Sequence, residues 1–349
     1  MRRGVRRIER CRMTGQEQLR RTQFSVVSLG DLVVDLVFEI PRLPLLPEEV
    51  QVAQGPRLEP GGSGNFLIAG SRLGLAMYAQ GSMGDDTYGR SAAQILVEEG
   101  VDVTGVVHAP GSTSTLVLVL VDAAGQHTFL GCYGIGPKLP LSNLWRQQIS
   151  KASVFFTNVY AFVEPQICDA TPEAIEAACQ AGVPIFIDLG PNTSSMSEEA
   201  RRSLGRQSTV TIGTEKEMLM AMGTVDIGAA AAALLERGTS VVVVKRGERG
   251  CQVYTRDEML ELPGFSVPLR DSTAAGDTFA AAFVYAYLYG YSLRDTATFA
   301  NAVAAVKVQK VGSGRQVPTA QEVMDFLRTH DVDLPFPALW ETEDHASAS

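Results

Sequence analysis

Cysteine and histidine are scarce, and the few present stand apart. The five cysteines, Cys11, Cys132, Cys168, Cys179 and Cys251, include no CxxC pair. That spacing reads against a zinc site or a disulfide framework and fits a reducing, cytoplasmic setting. These cysteines are expected to be small core residues. The four histidines, His108, His127, His330 and His345, form no HxxxH or HExxH spacing, so histidine-centred metal or triad chemistry has little support. Nor does any apolar run reach the ~18 residues of a membrane span. Acid–base work therefore falls to carboxylates in a soluble chain.

The 349 residues carry a formal charge of -9, unevenly spread. Residues 1–21 hold eight Arg against two Glu, a net +6, which leaves -15 on the rest. An acidic body repels phosphate backbones, so nucleic acid is not an expected partner. The leader lacks the apolar stretch of a secretory signal and reads as a disordered or mis-assigned extension over 1–22, with Met13 as an alternative start. The composition, 45% hydrophobic with mean hydropathy +0.06, suits a folded domain over 23–335 and a frayed acidic tail over 336–349.

Short β-branched and aliphatic runs recur at Ser25–Leu29, Ala76–Gln80, Val154–Thr157, Val183–Asp188, Thr209–Ile212 and Ser240–Lys245, and each reads as a buried strand. Helical spacing separates many of them, as in Tyr88–Glu99, Pro172–Ala181 and Ile227–Arg237, each ended by a glycine where a C-cap wants one. Such alternation implies a doubly wound α/β fold, a largely parallel sheet with helices on both faces. Two stretches break the rhythm: Leu36–Pro60, and Thr113–Tyr133 with a Gly125-Gln126 turn. They are expected to form a small accessory sheet, a lid. Thr278–Tyr289 is apolar on every side, which predicts a buried helix.

That buried helix begins in the most informative run, Asp271-Ser272-Thr273-Ala274-Ala275-Gly276-Asp277. Small residues at 274–276 leave amides bare at a helix N-terminus, a ready anion hole. Asp277 beside it can accept the proton of an attacking hydroxyl. Read alone, the same run also suits an N-terminal cap and tight packing.

The run resembles the second signature of the ribokinase-like carbohydrate kinases, the phosphofructokinase-B type. The resemblance implies that Asp277 is the base and that the amides of Ala274, Ala275 and Gly276 stabilise the transferring phosphoryl group. Other segments agree in order. Gly30-Asp31-Leu32-Val33-Val34-Asp35 resembles the opening strand and turn, implying that Asp35 grips sugar hydroxyls; alone, Asp35 reads as a solvated loop acid. Gly61-Gly62-Ser63-Gly64-Asn65 resembles the first signature, in which Gly61 and Gly62 let the backbone approach the sugar and Asn65 binds it, although Asn65 comes one residue early. Gly81–Gly89 is similar to a segment that places a helix behind the sugar pocket.

On the nucleotide side, Thr214-Glu215-Lys216-Glu217 falls at the family's Asn-x-x-Glu, implying that Glu217 organises Mg2+ through water, with Thr214 in the asparagine position. Lys245-Arg246-Gly247-Glu248-Arg249-Gly250 resembles the turn beneath ATP, implying nucleotide contacts from Lys245, Gly247 and Gly250, and Asn301 corresponds to a place beside the adenine. Asp271, Thr273 and the segment 307–316 resemble a loop that cages a monovalent cation, K+ in several members, through carbonyl oxygens.

The resemblance spans 24–330. It implies ATP- and Mg2+-dependent phosphorylation of a hydroxymethyl group on a small sugar such as ribose or fructose, with a homodimer through the lid strands. The rival readings are a nucleoside kinase of the same fold and a non-catalytic sugar sensor. A dinucleotide-binding oxidoreductase would need G-x-G-x-x-G after the first strand, where Gly30-Asp31-Leu32 stands. The lack of a Lys or Arg cluster near Asn65 reads against sugar phosphates.

Overall fold

A computed structural model describes residues 24–334. The basic leader with Cys11 and Met13, and the tail with His345, lie outside the described residues. The strands are β1 (Ser25–Leu29), β2 (Leu32–Ile40), β3 (Gln54–Gly62), β4 (Ala76–Ser82), β5 (Asp102–Val107), β6 (Leu116–Asp122), β7 (His127–Cys132), β8 (Val154–Asn158), β9 (Ile185–Asp188), β10 (Val210–Thr214), β11 (Val241–Lys245), β12 (Cys251–Tyr254) and β13 (Met259–Leu262). The helices are α1 (Ser63–Arg72), α2 (Thr87–Glu98), α3 (Asn143–Lys151), α4 (Ala170–Ala181), α5 (Glu198–Ser203), α6 (Glu215–Met222), α7 (Ile227–Arg237), α8 (Ala275–Leu288), α9 (Leu293–Lys307) and α10 (Ala320–Thr329).

Nine strands form one sheet in the order β13-β12-β11-β10-β9-β8-β1-β4-β5. From β11 to β5 every pairing is parallel, and β12 and β13 add an antiparallel edge. Parallel strands need crossovers, and these cover both faces: α1, α2, α8 and α9 pack on one core cluster, α3, α4, α6 and α7 on the other. The four valines of β11 divide alternately between the two cores, Val241 and Val243 into one, Val242 and Val244 into the other, which is why strands of this sheet read as unbroken apolar runs. Helix α8 is buried on all sides from Thr278 to Ala286, as its sequence predicts. Among the described residues no single helix is long and apolar enough to cross a membrane; a bent pair, α6 with α7, passes that test jointly, and both pack on the second core.

The expected lid is a separate four-stranded sheet, β3-β2-β6-β7. Its first strand begins earlier than the sequence suggests: β2 starts at Leu32, so Asp35 stands mid-strand and only 5% exposed, not in a solvated loop. Strands β5, β12 and β13 and helix α3 were not anticipated, because their runs are short and partly exposed. The cysteine expectation also needs correction: Cys251 is buried, whereas Cys132 and Cys179 are exposed and Cys168 half-buried. Cys132 and Cys179 sit on the outer faces of the lid and of α4, where burial was never available.

Glu59 of β3 fastens the lid to the 314–316 turn. Its carboxylate, buried at 3% side-chain exposure, accepts from the Arg315 amide at 3.0 Å and from the Arg315 Nε and Nη2 at 3.0 Å. Removing the cation would strand a buried charge, which costs ~3–5 kcal/mol. Arg315→Ala is therefore expected to lower the melting temperature by roughly 5–10 °C, at the lower end because the Arg315 side chain is 44% exposed. The double change Glu59→Gln with Arg315→Ala should recover part of that loss in calorimetry.

Candidate active site

The chain winds outward from β1 through β4 to β5 and then returns through β8, β9, β10 and β11 on the other side, so β1 and β8 meet at the topological switch point. A crevice opens there beyond the carboxyl ends of the strands. Asp31, just past β1, lies in it, accepting from Asn158 Nδ2 at the end of β8 (2.8 Å) and from the Ser63 hydroxyl at the start of α1 (3.2 Å). Four residues on, Asp35 projects from β2 against Gly61, and Asp31 packs against Gly62, whose φ is +53°. A Cβ at either glycine would overlap a carboxyl group, so Gly61 and Gly62 are what make room for the two buried acids, one each. The sequence assigns Asp31 no role; its place directly after the first strand is the signal that marks it.

Opposite these acids stands the start of α8. Ala274 adopts φ +63°, the left-handed region that a residue with a Cβ rarely enters. That turn points the first amides of α8 out of the helix. The amides of Ala274, Gly276 and Asp277 have no acceptor among the described residues, but Ala275 donates to Ser272 O at 3.2 Å. Of the three amides expected to form the hole, those of Ala274 and Gly276 are free donors, Asp277 adds another, and that of Ala275 is turned to the Ser272 carbonyl in the ligand-free chain.

Asp277 is held by Asn65, whose Nδ2 donates to Oδ2 at 2.9 Å while its Oδ1 accepts from the Gly314 amide at 2.7 Å. The asparagine that comes one residue early thus has both ends committed, one to the carboxylate and one to the loop after α9. On the far side of the anion hole, Lys245 ends β11. Its Nζ donates to both oxygens of Asp188 at the end of β9, 2.8 and 3.2 Å away, and lies 3.1 Å from where a Cβ on Gly276 would stand. Asp188 was not singled out by the sequence. Glu217 closes a capping box on α6, its Oε2 accepting from the Thr214 amide at 2.7 Å. This leaves its second oxygen uncommitted, a hard donor of the kind Mg2+ takes directly or through water.

Burial dominates the electrostatics. It pushes Asp31 and Asp35 each up to about 7, with the Asp277 charge adding to both. Burial also raises Asp277, partly offset by Lys245 and by the Asn65 hydrogen bond. For Lys245 burial alone would lower the amine, but the Asp188, Glu217 and Asp277 charges outweigh it and hold it charged. Since Asp31 and Asp35 titrate near 3.8 when unfolded, the folded protein binds more protons than the unfolded chain between about pH 4 and 7. Stability from these groups is fully present below pH 4 and is lost as pH rises through 7. The ligand-free protein is therefore expected to melt higher at pH 6 than at pH 8, and Asp31→Asn should flatten that dependence.

The remaining expected residues are close by. Gly250, with φ +82°, passes so near the Leu262 carbonyl that no side chain fits, and Gly247 turns at +60°. Asn301 is buried on α9 and donates to Pro263 O at 3.2 Å, so its amide supports the segment entering the site. Asp271 is fully buried. One carboxylate oxygen accepts from the Thr273 amide and hydroxyl and the other from the Gly312 amide, which ties the loop before α8 to the loop after α9.

The pfkB family carbohydrate kinase profile matches residues 23–320. The chain belongs to this family and is a carbohydrate kinase. It is 30% identical over 322 residues to fructokinase-1 of Zea mays, covering 86% of this chain and 97% of that one, and 29% identical over 337 residues to fructokinase-1 of Oryza sativa subsp. japonica, covering 91% and 100%. The fold is that of Arabidopsis thaliana ribokinase, solved with ribose and ATP, at TM-score 0.73 and 24% identity over 88% of this chain and 99% of that one.

Proposed function

We propose that the protein transfers the γ-phosphoryl group of ATP to a hydroxymethyl group of a small neutral sugar, with a ketohexose such as fructose the first candidate. The observation that carries this reading is the half-buried carboxylate of Asp277 at the free amides of α8, across the crevice from the buried acids Asp31 and Asp35, on both of which its charge acts. The fructokinase relatives at 29–30% identity support the choice of sugar.

In this reading Asp35 and Asp31 accept hydroxyl hydrogen bonds, which suits a polyol, and Asn65 aims Asp277 more than it grips the sugar. Asp277 takes the hydroxyl proton as the oxygen bonds to the γ-phosphorus; the bond from that phosphorus to the β–γ bridging oxygen breaks, and ADP leaves. The amides of Ala274 and Gly276 and the Lys245 ammonium neutralise the charge of the transferring group. Glu217 is the residue to hold Mg2+, which supplies charge neutralisation on the phosphates. Gly247, Gly250 and Asn301 border the nucleotide. The lid excludes water, so ATP is not hydrolysed idly. Its last strand leaves Phe129 and Leu130, on opposite faces, 52% and 68% exposed, apolar area that a second copy of the chain can cover.

The test is ADP release with Mg-ATP across fructose, ribose, other hexoses, hexose phosphates, acid sugars and nucleosides. Turnover confined to one or two neutral sugars supports the proposal. Preference for a nucleoside points to the rival kinase. A sugar that raises the melting temperature without turnover points to the sensor.

A further inference from the structure

The loop after α9 is the one that the family resemblance associates with a caged monovalent cation, and its chemistry here does not fit that role. Lys307, the last residue of α9, is 0% exposed, one of the largest fully buried side chains in the molecule. Its ammonium turns inward and donates to the Lys310 carbonyl at 3.0 Å, while Lys310 itself turns outward to Glu322 at 2.8 Å. Burial pushes the Lys307 amine down to about 8, with the Lys310 charge adding to that and the charges of Asp271, the acid of the cation loop, and Asp277, the candidate base, opposing it.

Neighbouring carbonyls are taken as well. Val311 O accepts from the Arg57 guanidinium, Arg315 O from Arg72, and Val308 O from the amides of Arg270 and Asp271. Both oxygens of Asp271 are already engaged by amide and hydroxyl donors. A caged K+ needs carbonyl and carboxylate oxygens turned toward it and left without donors. In this loop N–H groups, three of them cationic, hold those oxygens.

We propose that the Lys307 ammonium stands in for the monovalent cation, supplying from the chain itself the positive charge that orders the 307–316 loop beside the anion hole. A buried ammonium is tolerated only with carbonyl contacts and anionic charge near it; the Lys310 carbonyl is in contact with this one and the Asp271 charge acts on it without touching it. The enzyme is then independent of added K+.

The inference rests on the kinase reading for its activity arm but not for its stability arm. The wild type, Lys307→Met and Lys307→Ala are compared in K+ and choline buffers of equal ionic strength, about 0.1 M, so that screening is constant. Both sugar-dependent ADP release and melting temperature are read. The wild type should change less than about twofold in rate between the two salts, with the same melting temperature. Lys307→Ala, which opens room for an ion, should lose roughly ten- to a hundredfold in choline, less than the ~10²–10³-fold of a donor that touches the oxyanion itself, because Lys307 acts through the loop. It should recover in K+ and melt higher there. Lys307→Met keeps the volume filled and should stay low in both salts.

A wild type that is activated or stabilised specifically by K+ overturns the proposal whatever the variants do, and so does a Lys307→Ala protein that folds but ignores K+. Should no sugar turn over at all, the kinase reading has failed, while the K+-specific melting shift of Lys307→Ala against wild type still decides this inference.

Discussion

Asp277→Asn should lower kcat by ~10³–10⁴-fold with little change in the affinity for ATP. General-base catalysis supplies ~10²–10⁴-fold, and the upper end is expected here because the same carboxylate flanks the free amides of Ala274 and Gly276, so both the base and the field around the hole change. Asn is nearly isosteric and its carbonyl still accepts from Asn65 Nδ2, now 2.9 Å from Oδ2, so the substitution probes chemistry, not folding. Burial raises the Asp277 carboxyl, and kcat/KM should therefore fall as pH drops through that raised value, the protonated form being useless as a base. Removing a charge that burial disfavours should leave the melting temperature unchanged or higher at neutral pH, as is common where a site is destabilised for function. A variant that keeps a tenth or more of wild-type kcat sinks the assignment of Asp277 as base.

How much of this was legible beforehand divides along physical lines. The parallel core was readable because strands buried on both faces are apolar throughout, as in Val241-Val242-Val243-Val244, and because Gly182 and Gly238 end helices where the backbone needs a positive φ. Asp277 and the amides at 274–276 were readable because an anion hole must be local: it is built by one loop and one helix start. The burial of Asp35, the capture of Asn65 by Asp277 and Gly314, and the Asp188–Lys245 pair were not readable. Each joins residues far apart in sequence, 212 positions in the case of Asn65 and Asp277, and only the sheet order brings them together. Antiparallel β12 and β13 escaped notice for a related reason: an edge hairpin with one exposed face lacks the continuous apolar run that marks its neighbours.

The same logic makes Lys245 the second decisive residue. It ends a strand whose other residues are pure core, and nothing in its local sequence distinguishes it from a turn lysine. Yet the sheet places its ammonium between the Asp188 carboxylate, at 2.8 Å, and the backbone of Gly276. A lysine there is pre-oriented: Asp188 fixes its direction, and the acidic surroundings keep it charged. A fixed charge aimed at the place where charge moves requires no reorganisation during transfer, which is where such groups gain most. Lys245→Met should therefore lower kcat by ~10²–10³-fold while leaving the KM for the sugar within about twofold, since the sugar end of the crevice is formed by Asp31 and Asp35 instead. Asp188→Asn, which keeps a hydrogen-bond acceptor but frees the ammonium to swing, should cost less, roughly tenfold, again in kcat. If Lys245→Met raised the sugar KM and spared kcat, the lysine would belong to substrate binding and the phosphoryl group would have to lie elsewhere. A loss confined to the KM for ATP would instead make it a ground-state phosphate contact, one that binds nucleotide and transition state alike and so does not accelerate the transfer.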